Sequence, residues 1–141
     1  MIVDEIIARL KSAPGSPFRL IGAAAGVASI VDNPPAVPAA YVFVKEEGST
    51  ENERINGLLQ RTELDIVVLI ITENVADATG AAAAGDIEQL KGSVRKRLLG
   101  WQPASAEEPL SHVGGELVRA RGGALWWEMT LAAAVYLTDD A

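Results

Sequence analysis

Leu58-Leu59-Gln60-Arg61-Thr62-Glu63-Leu64-Asp65-Ile66-Val67-Val68-Leu69-Ile70-Ile71-Thr72 is the stretch on which the fold turns. It contains no glycine or proline and its second half is almost entirely Ile, Val and Leu, the composition of a strand. Successive side chains of a strand point to opposite sides. Leu64, Ile66, Val68 and Ile70 therefore share one face, and Val67, Leu69 and Ile71 share the other. Both faces of the middle are apolar, so both should be covered by other parts of the chain.

Upstream, residues 39–45 read as a second strand, with Tyr41, Val42, Phe43 and Val44 as β-formers. Residues 46–57 between the two are polar, acidic and rich in turn formers, which predicts a long exposed loop. Loops of that length in small domains are usually functional or disordered. Residues 18–21 suit a short strand, and 23–31 suit a helical turn or a packed loop. Asn33-Pro34-Pro35 and Pro38 impose extended or turned backbone. At the start, Val3, Ile6, Ile7 and Leu10 fall on one helical face. Asp4 and Glu5 occupy its first turn, where the helix dipole favours anions, and Ala13-Pro14-Gly15 ends it.

Downstream, the pattern predicts a helix over 77–99 with Asp77 as N-cap and Ile87, Leu90, Val94 and Leu98 as its buried stripe. Lys91, Arg95, Lys96 and Arg97 crowd its C-terminal half, and Gly100 suits the position just past its end. Gly85 and Gly92 cost about 1 kcal/mol each relative to alanine inside a helix, which makes sense if another backbone approaches there. After a loop over 101–109, strands at 112–120 and 124–137 are joined by Arg121-Gly122-Gly123, a hairpin signal. In the last strand Leu125, Trp127, Met129, Leu131, Ala133, Val135 and Leu137 alternate onto one face, and Trp126 falls on the other. Asp139-Asp140-Ala141 makes a short acidic tail. Together these elements describe one α+β domain over residues 1–141, with two main helices and four to five strands.

A strand over 59–73 would run about 50 Å at about 3.3 Å per residue. A compact chain of 141 residues is only about 37 Å across. The same excess applies to 124–138. Such strands either bend at bulges or project beyond the body of the domain.

The net charge is −7, so the chain repels phosphate at long range and sequence-specific nucleic-acid binding is not expected. Ordinary solubility explains the same charge. Cysteine is absent, which rules out disulfides and thiolate metal sites and is compatible with a reducing cytoplasm. The N-terminal residues lack a signal-peptide layout, and no apolar run is long enough to span a bilayer, so no membrane role is expected. Aromatic residues make up 5% of the chain while much of the apolar total is alanine, which favours close packing over deep pockets.

Candidate chemistry is sparse. His112 is the only histidine, and a lone histidine beside a hairpin is usually a surface or packing residue. An enzyme built here would pair it with Glu116 or Glu128. Glu46, Glu47, Glu51 and Glu53 cluster in the predicted loop but lack the ligand spacing and central glycine of a calcium loop. A solvated loop is the plainer reading. There is no phosphate-binding glycine loop, nucleophile elbow or dinucleotide fingerprint. No catalytic residue, metal or cofactor is assigned. Lys91 and Arg95 belong to the only basic run, either a polar helix face or a docking patch for an acidic partner. Trp126, turned away from the other indole, is a candidate interface anchor. The candidate contact residues are thus Glu46, Glu47, Glu51, Glu53, Arg54, Gln60, Arg61, Lys91, Arg95 and Trp126.

The order of landmarks resembles the tail-terminator proteins of long-tailed phages and Mu-like prophages. It runs from the N-terminal helix ending in Ala13-Pro14, through Pro38-Ala39-Ala40-Tyr41-Val42, Asn56-Gly57 with Gln60, and Asp77-Ala78-Thr79-Gly80. It continues with Leu98-Leu99-Gly100-Trp101, Val113-Gly114-Gly115 and Leu125-Trp126-Trp127. The resemblance implies a mixed, largely antiparallel sheet flanked by helices. It implies a non-enzymatic subunit of a ring, typically a hexamer, at the head-proximal end of the virion tail, made in the bacterial host's cytoplasm. Its partners would be copies of itself, the tail-tube protein and a head–tail connector protein. The ring would stop tube polymerisation, and DNA would pass through its lumen without sequence-specific binding. Other head–tail connector or tail-completion proteins, and a small-molecule-binding α+β module, stand as alternatives.

Overall fold

The structure is a computed structural model and describes residues 1–30, 34–74 and 80–139. The elements run α1 (Ile2–Lys11), β1 (Leu20–Ala23), a 3₁₀ turn (Val27–Ser29), β2 (Ala39–Ser49), β3 (Leu59–Glu73), α2 (Ala81–Leu98), β4 (Ser111–Arg121) and β5 (Ala124–Thr138). The five strands form one sheet in the order β1-β2-β3-β5-β4. Only the β1–β2 pair is parallel; the rest are antiparallel. The fold is therefore α+β with a mixed, mostly antiparallel sheet.

β3 occupies the centre, as its two apolar faces require. Ile66, Val67, Val68, Leu69, Ile70 and Ile71 are completely buried. On one side of the sheet, Leu64, Ile66, Val68 and Ile70 meet Ala40 and Val42 of β2 and Met129, Leu131 and Ala133 of β5. The helices close this layer with Ile2, Ile6 and Leu10 of α1 and Ile87, Leu90, Val94 and Leu98 of α2. Each such fully buried side chain contributes about 1.5–3 kcal/mol relative to exposure. On the other side, Val67, Leu69 and Ile71 join Ala39, Phe43 and Trp126. Here the cover is a connection, not a helix: Ala24, Val27, Ile30 and Val37, between β1 and β2, pack onto the sheet.

Several expectations are refined. β1 lies at 20–23, two residues later than expected, in register with Ala39–Val42 of β2. The apolar stretch after it includes a 3₁₀ turn, and Val31 and Asn33 lie outside the described residues. α2 begins at Ala81 behind Gly80, whose φ of 80° suits glycine. Asp77, the expected cap, also lies outside the described residues. Gly100 follows the helix with a φ of 80°, the left-handed geometry expected of it. Gly85 and Gly92 have nothing within 4 Å of a hypothetical Cβ, so among the described residues no other backbone approaches them. The β4–β5 turn is Gly122-Gly123, with φ of 59° and 84°, as a two-residue hairpin of this hand demands. β4 shifts register near Val113 and again near Val118.

The bulges fall on the partners of the two long strands, not within β3 or β5. β3 and β5 pair along their full 15 residues with no shift. β2 bulges at Lys45, between Val44 and Glu46. It then continues to Ser49, so Glu46 and Glu47 are strand residues and not loop residues as expected. The reason is that pairing is a backbone property. Glu46 to Ser49 find partners in Asp65 to Thr62, and their polar side chains need no core.

Candidate functional site

Every residue from 44 to 57 is exposed. Part of this segment is nonetheless paired strand, so the far end of the β2–β3 hairpin forms an ordered arm that leaves the core. Its tip is organised by Asn52. The Asn52 amide nitrogen donates to the carbonyls of Arg54 (3.2 Å) and Gly57 (2.9 Å). Its oxygen accepts from the backbone N–H groups of Arg54 (3.3 Å) and Leu59 (2.8 Å). Backbone bonds from Thr50 to Arg61 and from Glu53 to Leu59 extend the ladder towards the tip. Gln60 donates to the Thr50 carbonyl at 2.9 Å, and Ser49 and Thr62 share a 2.7 Å hydroxyl contact. Ile55 stands at the apex, fully exposed at 101% of its reference area.

The arm's cations are all engaged. Arg54 pairs with Asp139 at 3.7 Å, tying the tip to the residue after β5. Arg61 bonds Glu108 at 2.8 Å and lies 3.5 Å from Glu63. Lys45 bonds Glu128 at 2.7 Å, and that hydrogen bond, aided by the nearby carboxylates, raises the Lys45 pKa. Glu46, Glu47, Glu51, Glu53 and Asp65 have no cationic partner among the described residues. The arm is therefore a net acidic surface with an apolar tip.

The other candidate residues lie elsewhere. Lys91 is not an open docking residue: it is 6% exposed, lies 3.9 Å from the Trp127 ring centroid and bonds Glu88 at 2.8 Å. That bond lowers the Glu88 pKa. Arg95 is half-buried on α2 and has no ion pair among the described residues. Trp126 does not present an exposed anchor. It is completely buried against β3 and the β1–β2 connection, with the Arg119 guanidinium 4.1 Å from its ring. The sheet's second face carries its own core, which is why an indole turned away from the helices is still covered. Trp127, on the helix side, fits because Gly115 has no side chain; a Cβ there would lie 2.7 Å from Trp127 Nε1.

A second surface was only partly legible in the sequence. Arg9 stacks 4.9 Å from the Trp101 ring and donates to the Arg97 carbonyl at 3.1 Å. Arg97 returns bonds to the Arg9 carbonyl and the Ser12 hydroxyl, each at 3.1 Å. These reciprocal bonds lock the end of α1 to the end of α2. Arg9 and Arg97 meet there, close in sequence to Lys11 and Lys96, with no ion-paired carboxylate among the described residues, whereas Arg95 lies on the opposite flank of α2 in the field of Glu88. The basic run on α2 was visible; its completion by Arg9 and Lys11 needs the helix packing.

The geometry offers little for catalysis. His112 pairs with Leu131, whose side chain faces the helices, whereas Glu116 and Glu128 pair with each other on the opposite face. His112 is thus separated by the sheet from both proposed partners. Glu128 is buried and occupied by Lys45. A cleft of about 490 Å³ beside Pro38, Thr72, Asp86 and Leu90 is open to solvent and does not include Trp127. Among the described residues no group of His, Asp and Glu could hold a metal ion. No described helix is long and apolar enough to cross a membrane.

These features define an α+β fold whose most developed surface is an ordered arm. The chain belongs to the phage tail terminator protein family, whose model matches residues 1–139. It is accordingly a structural protein of a virion tail. Comparison with curated proteins gives no match. Among solved structures, it is similar to a chain of the virion of a native gene transfer agent particle, at 18% identity and a TM-score of 0.46. The similarity covers 94% of this chain and 84% of that one.

Proposed function

We propose that this protein assembles into a ring, six-fold as is typical of such subunits, that caps the tail tube, stops its polymerisation and offers the joining surface for the head. Membership of the terminator family carries this reading. The exposed, ordered arm supports it, since a subunit that must engage neighbours needs structure outside its own core. The acidic charge is compatible with DNA sliding through a lumen, because like charge opposes sticking. The tail-tube protein and a head–tail connector protein are the expected partners on the two faces of the ring.

The test is polymerisation of purified tail-tube protein with and without this chain, with tube lengths and ends imaged by electron microscopy. The expected result is arrested growth with a ring at one tube end. Tubes that grow to the same lengths and carry no added density at either end would overturn the proposal.

A further inference from the structure

Two surfaces of this chain are complementary, and the structure does not join them within one subunit. The arm carries Glu46, Glu47, Glu51 and Glu53 without cationic partners among the described residues. The α1–α2 corner carries Arg9 and Arg97, close in sequence to Lys11 and Lys96, and none of these four has an ion-paired carboxylate among the described residues. Apolar features match as well. Ile55 is fully exposed on the acidic tip. Beside the basic corner lies an open groove of about 540 Å³ lined by Ala8, Arg9, Trp101 and Ala104. Glu5 at its edge is already bound by the Ser105 backbone N–H and hydroxyl.

We propose, resting on the ring reading, that the arm of one copy docks on the α1–α2 corner of the next, with Ile55 in the Trp101 groove and the arm's glutamates facing the basic cluster. The occupant is a second copy because both halves of the contact are present on one chain. The contact joins two different patches, so it is heterologous, and repeating it generates a ring when the rotation closes. A two-fold contact of arm with arm would oppose like charges, as would corner with corner. The exposed charges are screened within about 10 Å at 0.1 M salt, so assembly should weaken as salt rises.

Charge exchange tests this. The variants are Glu51→Lys with Glu53→Lys on the arm, and Lys11→Glu with Lys96→Glu on the corner. All four side chains are exposed and make no side-chain hydrogen bond or ion pair among the described residues, so each variant should keep the wild-type thermal transition. Ile55→Asp probes the apolar contact. Oligomer mass is read by sedimentation over a concentration series. Each charge variant alone, and Ile55→Asp, should weaken assembly at least tenfold, and the four-site exchange should restore most of it. If wild type assembles and the variants assemble equally well, the arm serves a tube or head protein instead, and this proposal falls while the ring reading stands. If wild type stays monomeric at every concentration and with tail-tube protein present, both fall.

Discussion

At the scale of single residues, two side chains define how tightly the sheet is built. Gly115 leaves room for the Trp127 indole, with Nε1 and Cζ2 at 2.7 and 2.9 Å from where a Cβ would sit. Gly115→Ala should destabilise the subunit by about 1–3 kcal/mol, the range for overpacking, measured by denaturant unfolding. Glu128 is buried and depends on Lys45. Lys45→Ala should cost about 1–3 kcal/mol by leaving a buried acceptor unpaired, and replacing both partners with apolar residues should recover much of it. Glu5 supplies a pH signature. Burial opposes its charge, but the Ser105 hydroxyl and backbone N–H outweigh that and hold its carboxyl below the usual glutamate range. A depressed folded-state pKa stabilises the fold above the ordinary value, and the benefit disappears as pH falls through the depressed one. Glu5→Gln should therefore remove part of the acid-side loss of stability, read from melting temperatures across that window. At this scale the sequence was a partial guide. Trp127's packing direction followed from alternation. The burial of Trp126 did not, because its cover comes from Ala24, Val27, Ile30 and Val37, whose pattern is too weak to announce a second core.

At the scale of elements, β3 was the most legible part. A strand apolar on both faces has to be central, and β3 is flanked by β2 and β5 and covered on both sides. The helix stripes and the Gly122-Gly123 turn were equally readable, since periodicity and positive φ leave direct marks in composition. The extent of β2 was not readable. Glu46-Glu47-Gly48-Ser49 has loop composition, yet backbone pairing with β3 holds it extended. α2 provides a clean check on its glycines. Gly85 and Gly92 are exposed, and an added Cβ would meet nothing among the described residues. Gly85→Ala and Gly92→Ala should each stabilise the isolated subunit by about 1 kcal/mol, measured by chemical denaturation. Should either alanine weaken assembly while raising subunit stability, the close approach expected from the sequence would belong to a neighbouring copy.

At the scale of the whole molecule, the order of landmarks carried more information than any one of them. It pointed to the tail terminator family from pieces that are individually ordinary, and the family model matches residues 1–139. The candidate contact residues were less legible because contact surfaces depend on what folds together. Seven of them, from Glu46 to Arg61, do share one hairpin arm. Lys91 and Trp126 instead serve the subunit's own packing, Arg95 lies on the flank of α2 near Glu88, and the partners of Arg97 in the basic corner come from α1, as its bond to Ser12, 85 positions away, illustrates. Closure of this subunit into a ring should be visible in the mass and shape of the purified full chain in solution. The expected result is one discrete oligomer, six-fold and closed in electron micrographs, which dissociates as salt is raised. A chain that remains strictly monomeric at high concentration, even with tail-tube protein present, would contradict it.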